Sequence, residues 1–212
     1  MNSTQLDPVR EQNLLDNLGA ILKPYKFEFF RGDSFQAYIK DPAKALETAL
    51  LCRTAAIANA RRAEDGNDTA PESDIRISIG IGSVSMPVGT LGAAKGAAFL
   101  LSGRAFDEMQ KAGTRLSIVT ENEMANIGLA VMADYINALY EGMTDKQAEV
   151  IIALLKGETQ QQVAAVLGKS KSTVSQLTHS GRWAEIEKLL GQYEKLLNQL
   201  LAELHPLREF NQ

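Results

Sequence analysis

The side chains of this chain that are best suited to recognition chemistry cluster between Lys169 and Arg182. Lys169, Ser170, Lys171, Ser172, Thr173, Ser175, Gln176 and Arg182 supply ammonium, hydroxyl, amide and guanidinium groups. Such groups meet phosphate oxygens and the edges of bases. A second group sits near residue 33. Asp33 follows Gly32, and a carboxylate at a tight turn between two strands is a good ligand for Mg²⁺, which needs hard oxygens and commonly bridges carboxylates and substrate phosphates. Arg31 and Gln36 flank it and could face a nucleotide.

The elements that must position the first group can be read from spacing. In Gln160 to Leu177, QQQVAAVLGKSKSTVSQL, Ala164, Gly168, Val174 and Leu177 occupy the constrained places of a helix-turn-helix. Ala164 is small where two helices cross. Gly168 ends the first helix in the left-handed region that glycine enters without strain. Val174 and Leu177 turn inward toward Val163 and Leu167, leaving Lys171, Ser172, Thr173, Ser175 and Gln176 outward. Thr159 with Gln162, and Thr144 with Gln147, read as capping boxes. The spacing predicts helices over 145–156, 160–167 and 171–180. Lys156, Lys169, Lys171 and Arg182 stand against Glu158 alone, in a chain of net charge -4. Lys169 departs from the motif, which usually carries an apolar residue just after the turn glycine. An ordinary helical hairpin in a bundle is the competing reading.

At 212 residues, with 45% hydrophobic and 23% charged, the sequence is that of a globular protein with one large domain or two small ones. Its acidic balance excludes polyanion binding by bulk charge, so DNA contact requires a local patch. Cys52 is the only cysteine, which leaves no disulfide framework and no thiolate metal cluster; in its Ala- and Leu-rich surroundings it reads as a small buried hydrophobe. The start, MNSTQLDP, has neither a basic nor an apolar leader segment, and no run approaches the roughly 18 apolar residues of a membrane span. A cytoplasmic location is the expectation.

Along the chain, Asp7-Pro8 opens a helix to about Leu22, with Leu14, Leu15, Leu18 and Ile21 as its inner stripe. Residues 25–40 read as a hairpin with Gly32-Asp33 as a two-residue type II′ turn. That register would put Arg31, Ser34, Gln36, Phe27 and Phe29 on one face, open to a base and phosphate or to a second subunit. Phe30, Phe35, Ala37 and Ile39 would face the core. Asp41-Pro42 opens a helix to about Ala63, and residues 63–74 form an acidic loop. From Ile75, IRISIGIGSV alternates as a strand, burying Ile75, Ile77, Ile79 and Ile81. Arg76, Ser78, Gly80 and Gly82 form a small, polar face that lets another backbone, a ligand or a second subunit approach. A helix over 102–110, a strand ending at Thr120 and a helix to about Tyr140 follow. In the tail, Ile186, Leu190, Tyr193, Leu197, Leu200 and Leu204 space as 4-3-4-3-4, a stripe for packing on the same chain or for a dimer helix.

Three stretches in order, FFRGDSFQAYI, RISIGIG and SGRAFDEM, resemble the class III nucleotidyl cyclase domain. Gly32 and Asp33 fall on its hairpin pair, Arg76, Gly80 and Ile81 on its strand, and Gly103 and Ala105 on its later helix. With the C-terminal motif, the chain resembles the SatD-like bacterial family over most of residues 3–183. The resemblance implies a cyclase-like palm joined to a DNA-binding tail, with Asp33 at a metal site and Arg31, Gln36 and Arg76 toward a nucleotide. It also implies two metal aspartates, the first on an opening strand that precedes the first helix. That strand and that aspartate are absent from these 212 residues, which leaves a gap in the sheet. The polar pair of the later helix is also missing, since Phe106 and Asp107 follow Ala105. Asp33 alone does not supply two-metal catalysis, so catalysis is not the leading expectation.

The expectations are therefore these. The fold is α+β, a ferredoxin-like, cyclase-like sheet domain lacking its first strand (1–120), then a helical connector and helix-turn-helix (121–183), then an amphipathic C-terminal helix (184–212). The function is a DNA-binding transcriptional regulator with a degenerate sensory or dimerisation domain, acting as a homodimer, with a nucleotide as candidate ligand, Mg²⁺ as the only candidate cofactor and no membrane association. The alternative is a Mg²⁺-dependent phosphoryl-transfer enzyme.

Overall fold

The computed structural model describes residues 8–30, 34–59 and 74–204. Within them the chain is α+β and mostly helical, with eight α-helices and two small two-stranded sheets. The order is α1 (Pro8–Leu22), β1 (Lys26–Phe30), β2 (Ser34–Tyr38), α2 (Ala45–Ala58), β3 (Ile77–Ile81), α3 (Ala97–Ala112), β4 (Leu116–Thr120), α4 (Glu123–Tyr140), α5 (Asp145–Leu155), α6 (Gln160–Val166), α7 (Lys171–Ser180) and α8 (Trp183–Leu204). Short 3-10 turns occupy Pro42–Lys44 and Leu91–Ala93. Asp41 caps the first of these, its carboxylate accepting from Ala43 N–H at 3.0 Å.

The hairpin register differs from the one expected. Phe30 pairs with Ser34, and Phe27 with Ala37, so residues 31–33 lie between the strands rather than Gly32-Asp33 alone. One added loop residue reverses which face of β2 joins which face of β1. Phe27, Phe35 and Ala37 consequently pack with Leu14, Leu18 and Leu22 of α1, while Phe27, Phe29 and Phe35 meet edge to face. Phe30 leaves the core face and its ring stands against Gly92, while Glu28 on the same face accepts Leu91 N–H at 2.9 Å.

β3 and β4 run parallel, joined across α3. The isoleucine face of β3 behaves as its alternation demands: Ile75 and Ile79 are buried, and Ile77 and Ile81 pack partly buried against the core. The small face is taken by α3 of the same chain. Ser78 Oγ donates to Ser102 O at 2.8 Å, and a Cβ on Gly80 would collide with Ala98 O and stand 2.6 Å from Ser102 N. Glycine is required there by close backbone approach. α3 begins at Ala97, five residues earlier than the expected 102, because Ala97–Leu101 are themselves helix formers and Gly96 (φ 134°) turns the chain into them.

One core runs from β3 and β4 through α2, α4 and α5 to α8, so the three expected segments share it. Its polar keystone is Arg53 on α2, 1% exposed. Its guanidinium donates to both carboxylate oxygens of Asp74 (3.1 and 2.7 Å) and to Asn137 Oδ1 at 3.0 Å, and lies 4.7 Å from the Tyr140 ring centroid. A bidentate carboxylate, an amide and a ring face together satisfy a buried charge. This ties the entrance of β3 to α2 and α4. The stripe of α8 is spent inside the chain: Ile186, Tyr193 and Leu197 are buried, and Tyr193 Oη donates to Pro42 O at 2.9 Å. Its amphipathic face packs on its own subunit and is not free to form a dimer helix. No helix among the described residues is long and apolar enough to cross a membrane.

Candidate functional site

α5, α6 and α7 occupy the spans that spacing and caps predicted. Both capping boxes are formed: Thr144 with Gln147, and Thr159 with Gln162, exchange side-chain and backbone hydrogen bonds at the starts of α5 and α6. Each box is worth about 1 kcal/mol. α6 ends at Val166 with Leu167 as its C-cap, and Gly168 takes φ 60°, so four residues, Leu167–Ser170, turn the chain into α7. Val163, Ala164 and Val174 are buried where α6 and α7 cross, with Leu167 and Leu177 half-buried beside them. Lys169 N–H donates to Ala164 O at 3.0 Å, closing the corner.

The outward side of α7 carries Lys171, Ser172, Thr173, Ser175 and Gln176, all exposed. Val174 and Thr178 take the inner side, and Thr178 Oγ1 donates back to Val174 O at 2.8 Å. His179, also exposed, extends the same face, since it lies three and four residues beyond Gln176 and Ser175, a spacing visible in the sequence.

Three of the expected contact residues do other work. Lys169 Nζ sits 3.1 Å from Glu149 Oε2 and is half-buried, so its charge is engaged within the chain. A lysine after the turn, where an apolar residue is usual, is accommodated because Glu149 of α5 neutralises it there. Arg182 Nε donates to Glu185 Oε1 at 2.6 Å, and that hydrogen bond lowers the Glu185 carboxyl from its ordinary value. Ser170 is the N-cap of α7: its Oγ accepts Thr173 N–H at 3.1 Å and lies 2.8 Å from both Ser172 Oγ and Thr173 Oγ1. The local charge is therefore not four cations against Glu158 alone. Glu149 and Glu185 join the patch, and Lys156 and Lys171 remain without ion pairs among the described residues.

Arg31 and Asp33 lie outside the described residues. Gln36 on β2 and Arg76 ahead of β3 line one cleft of about 1540 Å³ between those strands, together with Ser34, Ser102 and Phe106. Arg76 Nε is buried without an acceptor among the described residues. Phe27 and Phe29, expected beside Gln36, are on the opposite hairpin face because of the register. Among the described residues no three His, Cys, Asp or Glu side chains converge. Cys52 is buried at the cleft floor, and burial pushes its thiol up to about 12, away from the thiolate that reactivity requires.

No family model, curated protein or solved structure matches the chain.

Proposed function

We propose that the chain is a DNA-binding regulator in which α6, the turn and α7 act as a helix-turn-helix, with α7 as the helix that enters the major groove. The carrying observation is the division of α7: Val174 and Thr178 are locked inside, while Lys171, Ser172, Thr173, Ser175 and Gln176 are exposed. This is the arrangement a groove-reading helix needs, since its N-terminal residues meet base edges and its helix end favours phosphate. The N-terminal α+β half serves sensing or dimerisation in this reading.

A regulator of this kind reads two half-sites about one DNA turn apart, which calls for a dimer. The second copy is assigned to α4. Met124, Ile127 and Val131 are 65–77% exposed and Tyr135 is 44% exposed, on one side of that helix. Spacings of three and four residues make them a single stripe, about 16 Å long. The stripe is apolar enough to be covered, and α8 has no comparable free face. α4 also leads through Gly142 directly into α5, so pairing two α4 helices fixes the separation of two α7 helices.

The test is an anisotropy titration of the protein against genomic fragments at graded salt. Affinity that falls steeply with salt is expected, together with sequence preference that changes in Gln176→Ala and not in Lys171→Ala. Absence of binding at low salt refutes the reading.

A further inference from the structure

The chain turns sharply at both ends of α7, and the two corners are built differently. Ahead of α7 the left-handed residue is Gly168, at φ 60°, a conformation glycine takes without support. Beyond α7 the left-handed residue is Arg182, at φ 58°, the one non-glycine residue with positive φ among the described residues. A residue that carries a Cβ is strained there. The neighbouring glycine does not relieve the strain. Gly181 has φ -78°, and it is glycine because a Cβ would lie 2.8 Å from Leu177 O and 3.2 Å from the Ile151 side chain. The end of α7 is thus pressed onto α5, and the turn into α8 falls on an arginine.

Arg182 belongs to both helices. Its N–H donates to His179 O of α7 at 3.1 Å, and its carbonyl accepts Glu185 N–H and Ile186 N–H of α8, each at 3.2 Å. Strained backbone persists where its surroundings hold it. Two side chains do so here. Glu185 Oε1 accepts from Arg182 Nε at 2.6 Å, and the Tyr135 hydroxyl reaches the same guanidinium from α4. The Arg182 and Glu185 side chains are 50% and 34% exposed, and an ion pair so open to water is weak by itself. Tyr135 closes the end of the exposed stripe of Met124, Ile127 and Val131. A second copy seated on that stripe removes water from Tyr135 and from the ion pair behind it, which strengthens both contacts.

We infer that Arg182 is a positioning residue that, through Tyr135, makes the angle of α7 against α8 depend on a second copy at α4. The inference rests on the DNA-binding reading and on α4 as the dimer face. Arg182 then serves DNA binding without touching DNA. A monomer holds α7 at a weak, solvated corner. Pairing of α4 tightens the corner, so both reading helices are presented at one angle. DNA binding and α4 pairing favour each other by a common factor, about 5–150-fold for coupled sites in general.

Two variants separate this role from a phosphate contact by Arg182. Glu185→Ala removes a negative charge beside the α7 surface, so a phosphate-contacting Arg182 would then bind DNA more tightly. Weakening of about fivefold or more is expected instead. Tyr135→Phe keeps the ring in the α4 stripe and leaves every charge in place. It is expected to stay dimeric by sedimentation and to lose the same factor in DNA affinity. A further readout needs no DNA. Trp183, the only tryptophan of the chain, follows Arg182 and packs half-buried against the core. Its emission is expected to shift as the wild-type dimer dissociates on dilution, and to stay constant as Tyr135→Phe dissociates. Unchanged or tighter DNA binding by Glu185→Ala overturns the inference, as does the same emission shift in wild type and Tyr135→Phe. A wild-type protein that shows the Trp183 shift but binds no DNA supports the corner and defeats the DNA-binding reading. One that binds DNA with no shift does the reverse.

Discussion

Lys169 and Lys171 are two residues apart, yet under the proposed DNA-binding role they are expected to contribute unequally. Lys171 is exposed and free of ion pairs among the described residues, while Lys169 is held 3.1 Å from Glu149. Each phosphate neutralised contributes about -0.9 to the slope of log affinity against log salt. A dimer presents Lys171 twice, so Lys171→Ala is expected to flatten the slope by about 1.8. Between 50 and 200 mM salt the wild-type protein then loses about tenfold more affinity than the variant. Lys169→Ala is expected to change the slope by less than about 0.9, because the charge it removes is already balanced within the chain. Glu149→Gln releases Lys169 and steepens the slope. The assay is anisotropy at four or more salt concentrations on one DNA fragment, with circular dichroism to show that each variant is folded. Equal flattening by Lys169→Ala and Lys171→Ala would refute the reasoning, since the ion pair would then have no bearing on the interface.

Three further outcomes follow from the same structure. Val131→Glu places a charge in the exposed α4 stripe and is expected to convert a dimer into a monomer by sedimentation and to weaken DNA binding, with the thermal midpoint little changed; a variant that stays dimeric removes α4 from the interface. Asp74→Ala leaves the Arg53 charge, 1% exposed, without its carboxylate, and is expected to cost about 3–5 kcal/mol in urea unfolding, whereas a loss under about 1 kcal/mol would show that the pair is dispensable. Burial raises the Tyr140 hydroxyl from 10.0 to about 12. The unfolded chain therefore releases this proton first, and stability that is complete below pH 10 is lost as pH rises toward 12, by about 3 kcal/mol. Thermal midpoints across pH 9–12 check this, and Tyr140→Phe should flatten the decline above pH 10.

The helical C-terminal half was legible in the sequence because its signals are local. Thr144 with Gln147 and Thr159 with Gln162 specify helix starts within one turn. Gly168 specifies a corner by its own backbone freedom, and the Val163, Ala164 and Val174 positions follow from a 3.6-residue period. The alternation of Ile75 to Ile81 likewise fixed a strand and its buried face.

What the sequence could not decide depended on neighbours distant along the chain. One residue more in the hairpin loop moved Phe30 off the core face and Phe27 onto it, because strand sides alternate with period two and the loop length sets the phase. The charge of Lys169 was settled by Glu149, twenty positions earlier, and no local pattern announces that contact. The small face of β3 admitted three occupants by its chemistry, and only the packing of α3 against Gly80 and Ser78 chose between them. Periodicity determines which side of an element is apolar. Which other element covers that side, and where two edges are left open between β2 and β3, is determined by the path of the whole chain.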